Sequence, residues 1–378
     1  MSPIFQYLRV IELANVLAGP SVGQFLAELG AEVIKIENPK TKGDVTRSWK
    51  LKSEKAVNPV SAYFSSANSG KKSIALDISD KEDLSILYQL VAKSDIVIAS
   101  YKSGDAEKLK VDYQSLKNIN SKIIYGQITG YGEEDARVGY DAIIQAESGF
   151  MSMNGELGGN SLKMPVALVD VLAAHHLKEA ILLAYIHLLK SNEGAKVSVS
   201  LFDAAIASLA NQATNYLIAG HDPQKMGAEH PNIAPYGTVL KTADEKEILL
   251  AVGTNSQFYK LCQELEIPEI SEDIRFKTNT LRVENRKELN QVLLGKAKSF
   301  QSVILIEKLR IAQVPAGKLQ SVGEALGGSG AEKMILQSAE RIVGLRNFAG
   351  DLSFMENSPH LAPPPEFDQH KAEILASL

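Results

Sequence analysis

Leu8-Arg9-Val10-Ile11-Glu12-Leu13, then Ala18-Gly19-Pro20, then Ala31-Glu32-Val33-Ile34-Lys35-Ile36-Glu37 is the stretch that decides the fold. Two short apolar runs flank a segment that opens with a turn and reads as helix to about Leu29. Pro20 suits the first helical position, where its missing N–H and fixed φ cost nothing. The unit is β-α-β. The pattern continues outward. Ser73 to Ile78 reads as a strand, Asp80 to Lys93 as a helix, and Ile96 to Ala99 as a buried strand. Lys122 to Thr129 is a further strand, and Lys196 to Ser200 feeds a helix from about Asp203 to Ala219. Such alternation implies an α/β fold, a Rossmann-like domain with a mainly parallel sheet covered by helices. Ligands of such sheets sit beyond the strands' carboxyl ends, so the turns near Asn15 and Tyr101 lie on the expected binding edge.

The chain has 378 residues, too many for one ordinary core, so two domains or a split large domain are expected. A hydrophobic fraction of 45% and a charged fraction of 22% are those of a soluble globular protein. The net charge of −5 argues against a nucleic-acid partner. No run has the length of a membrane span, and Met1-Ser-Pro-Ile-Phe-Gln6 lacks a signal-peptide pattern, so a cytoplasmic location is expected. The single cysteine, Cys262, excludes an internal disulfide and reads as a core residue of a helix.

From about Lys225 the texture changes. Thr238 to Leu240 and Ile248 to Val252 read as a hairpin turning at Thr242 to Glu247, followed by helices rich in Lys, Arg and Glu. The expected division is a large domain over 1–200, completed by about 330–378, and a smaller α+β domain over 226–320. Segments 201–225 and 321–345 link them. Pro363-Pro364-Pro365 in the tail is a stiff extended element.

One carboxylate stands out. Asp170 sits where a long helix begins, and from Val171 to Leu189 apolar residues occupy all faces. A helix apolar all round is expected to be buried, and buried carboxylates are scarce unless paired or used. The position also suits an N-cap aspartate whose only task is to satisfy backbone donors.

Several motifs fail. The first β-α turn, Ala14-Asn-Val-Leu-Ala-Gly19, is no dinucleotide fingerprint, so Glu37 has no support as a ribose ligand. Gly70-Lys71-Lys72-Ser73 lacks the upstream glycine of a phosphate loop. His175 and His176 point about 100° apart on one helix, and no paired cysteines or H-E-x-x-H occur, so no metal site is expected. No G-x-S-x-G elbow supports a serine hydrolase.

Motifs in order along the chain carry a resemblance. After the opening stretch come Gly43-Asp44 with Arg47, Asn68-Ser-Gly-Lys71-Lys72-Ser-Ile-Ala-Leu76-Asp77, and Gly139-Tyr140-Asp141 with Gln145-Ala146-Glu147-Ser148-Gly149. Pro165 with Asp170, His230-Pro231, Ala234-Pro235-Tyr236 and Phe276 with Arg282 complete the series. In these the chain resembles the family III CoA-transferases, the group of formyl-CoA transferase, carnitine CoA-transferase and the α-methylacyl-CoA racemases.

The resemblance implies that Asp170 attacks the thioester of an acyl-CoA, giving a mixed anhydride and free CoA thiolate. CoA then forms an aspartyl-CoA thioester or stays bound while the acids exchange, and the acceptor acid leaves as its CoA ester. It further implies CoA as substrate, with Val16 and Ala18 near the pantetheine, Leu76 and Tyr101 near the adenine, and Leu17 and Ser100 among the substrate- or CoA-binding residues. Lys108 and Arg137 fall at or near basic positions that meet phosphate, and Tyr140 and Asp141 fall at positions lining the active site. The family's interlocked homodimer is expected too. Asn154-Gly155-Glu-Leu-Gly158-Gly159-Asn160 reads either as a mobile loop that would help exclude water from the anhydride or as a plain surface linker.

Departures matter. Leu17 stands where formyl-CoA transferase carries glutamine, and that enzyme's tetraglycine loop is missing between His230-Pro231 and Tyr236. Both argue against oxalate and formate as substrates. Ser79 replaces a family lysine, with Lys81 nearby, and Asn38 replaces an arginine. The tail reads Phe367-Asp-Gln-His370-Lys in place of Gly-x-His-Thr. The second reading is an acyl-CoA racemase, which uses a His and an Asp as general acid and base. Its pattern has histidine where Tyr140 stands, and a phenol titrating near 10 is a poor base at neutral pH. A CoA-binding protein without chemistry is a third reading, against which Asp170 counts.

Overall fold

Neighbouring apolar residues in the four inner strands feed two separate cores, one on either face of a six-stranded parallel sheet. The computed structural model describes residues 3–55, 60–338, 341–355 and 361–378. The sheet comprises β1 (Arg9–Leu13), β2 (Glu32–Glu37), β3 (Lys71–Ala75), β4 (Ile96–Ala99), β5 (Ile124–Thr129) and β6 (Ala195–Ser200). Val10, Val33, Ile96 and Ile98 pack on one face, beneath α1 (Ala18–Glu28). Ile11, Ile34, Ile74 and Val97 pack on the other, beneath α2 (Lys81–Ala92). The fold is α/β with a mainly parallel sheet, as the alternation implied.

Strand order is β3-β2-β1-β4-β5-β6. The chain therefore steps outward from β1 in one direction, then from β4 in the other. Between β1 and β4 the following turns diverge and leave a crevice at the carboxyl edge. α3 (Asp141–Glu147) and α4 (Leu168–Ser191) follow β5, and α5 (Leu201–Ala207) and α6 (Asn211–Ala219) follow β6.

The chain divides into two compact units, residues 1–150, 163–221 and 330–378 in the larger and 151–162 with 222–329 in the smaller. The smaller holds an antiparallel sheet of β7 (Tyr236–Lys241), β8 (Glu247–Ala251) and β9 (Ala316–Lys318). Its core contains Leu240, Leu250, Phe258 and Leu289 together with Cys262, whose thiol burial pushes up to about 12. The glycine-rich segment 154–160 belongs to this unit.

Some expectations need correction. α1 starts at Ala18, so Pro20 is its third residue, where the N–H would still lack an intrahelical partner. β3 begins at Lys71, two residues early, because Lys71 and Lys72 find carboxylates at Glu12 and Glu32. The helix expected over 203–219 is two helices. Between them the Ser208 hydroxyl bonds back to the Ala204 carbonyl and Ala210 takes a φ of 49°. Finally, α4 is not buried on all faces. Val169, Ala173, Leu177 and Ile181 face the core, while Leu183, Ile186 and Leu189 are exposed in the single chain.

The tail covers an open edge. β3 is the outer strand, and its unpaired groups meet residues 362–370. Gly70 N–H donates to the Ala362 carbonyl (2.8 Å), Ser73 N–H to His370 Nδ1 (3.2 Å) and Ala75 N–H to the Asp368 carboxylate (2.7 Å). His370 N–H returns a bond to the Ser73 carbonyl at 3.0 Å. Phe367 to His370 thus protect a sheet edge.

Candidate active site

Asp170 is the third residue of α4, and it is not the cap. The helix's first flanking residue, Ala167, provides no side-chain cap. The Val169 N–H is instead accepted by Asp141 Oδ1 at 2.8 Å, across 28 residues. Gln145 Nε2 holds Asp141 Oδ2 at 2.8 Å, and Gln145 Oε1 accepts from Met164 N–H at 2.9 Å. With the capping done by Asp141, the Asp170 carboxylate is left without a hydrogen-bond donor among the described residues. It is 9% exposed, and burial, helped by the Asp141 charge, pushes it up to about 7.

Asp170 opens into a cleft of about 240 Å3 at the carboxyl ends of β1, β4 and β5. Residues 15–19, 100–103, 128–130 and 137–141 form its walls, with Leu201. Val16, Leu17, Ala18, Ser100, Tyr101, Arg137, Tyr140 and Asp141 are therefore brought together with Asp170. Gly130 and Gly139 let the loop between them close. A Cβ on Gly139 would lie 2.4 Å from the Gly130 Cα, so the chain returns beside β5 only with glycine there. Arg137 stacks on Tyr131 at 3.7 Å and pairs with Asp135 at 2.8 Å.

A second hollow of about 210 Å3 adjoins it, sharing Asn15 and Tyr101. Leu76, Asn38, Lys40 and Ser79 line it. Lys40 Nζ contacts Asp77 at 2.7 Å and Ser79 Oγ at 3.2 Å, so the ammonium beside Ser79 belongs to Lys40. Lys108 lines neither hollow. It is 77% exposed and pairs with Asp105.

Beneath the first cleft lies a buried charge network. Glu12 and Lys35 are register partners on β1 and β2. Lys35 Nζ reaches Glu12 at 2.9 Å, Asp44 at 3.0 Å and the Ala14 carbonyl at 2.7 Å. Lys71 Nζ takes the other Glu12 oxygen at 2.7 Å and Asn68 at 2.9 Å. Burial pulls Lys71 down to about 8 against the pull of Glu12. Burial also raises Asp44, but Lys35 and the Thr46 donors outweigh it and hold Asp44 below its usual range. Asp44 accepts the Val16 N–H at 3.1 Å. Val16 has a φ of 70°, and a β-branched residue there carries strain of order 1–3 kcal/mol. Glu37 is occupied by Arg47, at 2.6 Å, and by Ser73.

Residue types alone did not reveal these roles. The available signal was single opposite charges inside apolar strands, Glu12 in one and Lys35 in the next. Tyr63 was also missed. Its phenol is raised first by burial, then by the charges of Asp170, Asp141 and Asp44, which puts it in the field of the site. Among the described residues no group of three or more His, Cys, Asp or Glu is placed to hold a metal, and no helix is long and apolar enough to cross a membrane.

The sequence model of CoA-transferase family III matches residues 6–371. The chain belongs to CoA-transferase family III. This CoA-transferase is 38% identical to the succinate–glutarate CoA-transferase of Agrobacterium fabrum, over 100% of this chain and 96% of that protein. It is 32% identical to human succinyl-CoA:glutarate CoA-transferase, over 97% and 84%. The crystal structure of a CAIB/BAIF family protein from Brucella suis superposes with a TM-score of 0.85 at 37% identity, covering 98% of each chain. Enzymes of this family act on CoA thioesters, and the chain is an enzyme of that class.

Proposed function

We propose that this CoA-transferase moves CoA between two dicarboxylic acids through a covalent intermediate on Asp170. The observation that carries the reading is an Asp170 carboxylate that is buried, free of donors and open to a cleft. A carboxylate stripped of hydration is a stronger nucleophile than one in water. An Asp170 oxygen attacks the thioester carbonyl of the donor, the C–S bond breaks, and CoA leaves as thiolate. The thiolate attacks the aspartyl carbonyl of the mixed anhydride and expels the donor acid. The acceptor carboxylate then displaces CoA from aspartyl-CoA, and CoA attacks the acceptor carbonyl of the new anhydride. Asp170 is regenerated and no proton is consumed.

CoA would lie with its adenine in the hollow of Leu76 and Tyr101 and its thioester beside Val16, Leu17 and Ala18. The shared residues Asn15 and Tyr101 support one continuous path. Lys40 is the cation available to a phosphate there, and Ser100 and Arg137 flank the route. Tyr140 and Asp141 border the reacting carbonyl, and Lys108 meets phosphate only from the surface. Dicarboxylic acids are favoured because succinate and glutarate name the relatives above. An interlocked homodimer is part of the reading, supported by the exposed apolar residues Leu183, Ile186 and Leu189 of α4 and Tyr216, Leu217 and Ile218 of α6.

Intact-mass measurement with a panel of acyl-CoAs tests it. Succinyl-CoA or glutaryl-CoA should add mass that hydroxylamine removes, and Asp170→Ala should add none. No adduct, together with α-proton exchange from deuterated water, would establish the racemase reading instead.

A further inference from the structure

We propose that Asp44, clamped by Lys35, is a positioning residue of the transfer reaction. The inference rests on Asp170 being the reacting group. Residues 15–19 form the cleft wall facing it, and their path depends on residue 16 holding a φ of 70°. Valine disfavours that conformation, so something outside the turn must hold it. The backbone is tied on both sides of Asn15. The Ala14 carbonyl accepts from Lys35 Nζ at 2.7 Å, and the Val16 N–H donates to Asp44 Oδ2 at 3.1 Å. Asn15 N–H itself meets Ser100 Oγ at 3.3 Å, on the turn after β4.

The two clamping side chains are 3.0 Å apart and wholly buried. Asp44 is fixed further by Thr46 N–H at 3.0 Å and Thr46 Oγ1 at 2.8 Å. A buried ion pair is weak as a source of stability, and its best-attested use is to impose one conformation. Here the conformation imposed is that of the turn carrying Leu17 and Ala18 toward the thioester. Asp44 and Lys35 act through that turn.

Steady-state kinetics and single-turnover mass measurement separate this role from a general loss of folding. Asp44→Asn, which keeps the shape and removes the charge, should lower kcat at least tenfold. KM for the acyl-CoA should stay within threefold, and adduct formation should slow with kcat. Adding Val16→Gly should return at least threefold of the loss, because glycine takes a positive φ without steric cost. Thr46→Val, which leaves the charges in place, should lower kcat in the same direction while the protein still unfolds cooperatively, with Tm lowered only as far as one lost hydrogen bond requires. Asp44→Asn with kcat within twofold of the parent, or with its loss confined to KM, would overturn the proposal. So would failure of Val16→Gly to restore rate. If Asp44→Asn does not fold, an unchanged kcat in Thr46→Val overturns it. Failure of the Asp170 reading is distinct, since the parent itself would then carry no adduct.

Discussion

At the scale of single residues, Asp170 carries a pH-dependent cost in stability. Its carboxyl is raised from an ordinary 3.8 to about 7, so between those values the folded chain binds more protons than the unfolded one. Stability therefore falls as pH rises from about 4 to about 7, by about 4 kcal/mol at 1.36 kcal/mol per tenfold. Asp170→Asn should raise Tm at pH 8 and change it little at pH 4.5, as calorimetry at the two values would record. In the mechanism proposed above the ionised form is the nucleophile, so kcat/KM of the parent should climb through about pH 7 and level off above it. A flat profile from pH 5 to 9 would remove Asp170 from that role. Much of this was legible in the sequence, because a lone acid opening an apolar helix is conspicuous. Its freedom from capping was not, since the cap comes from Asp141, 28 positions before the Val169 N–H it accepts, and distant side-chain bonds leave no periodic trace. The strain at Val16 was hidden likewise, because nothing in Asn-Val-Leu signals a positive φ.

Elements were read well where pattern decides them. β4 falls on the expected residues because four consecutive apolar residues between polar neighbours admit only a strand buried on both faces. β3 was misplaced because Lys71 and Lys72 look solvated until their carboxylate partners on neighbouring strands are known. The break between α5 and α6 occurs without glycine or proline, so no local breaker announces it. The tail's bond to β3 has a measurable weight. Asp368→Ala would leave the Ala75 N–H without its acceptor, for a loss of about 1–2 kcal/mol. Thermal unfolding should shift down by roughly 2–4 °C. An unchanged Tm would mean that water replaces the carboxylate without cost.

For the whole molecule, the exposed apolar faces of α4 and α6 set the question of assembly. In the homodimer proposed above a Glu at position 186 would put charge into a contact that buries this face, so Ile186→Glu should raise the dimer dissociation constant at least tenfold by light scattering across a dilution series. Parent and variant of identical mass in solution would locate the contact elsewhere. The covering of β3 has a consequence in time. Ser73 and His370 are separated by 297 positions. At roughly 5–20 residues per second, the ribosome takes about 15–60 s to deliver the second after the first. Through that interval the nascent sheet presents an uncapped margin to every neighbouring chain, and arrival of residues 362–370, rather than formation of the first β-α-β unit, closes it.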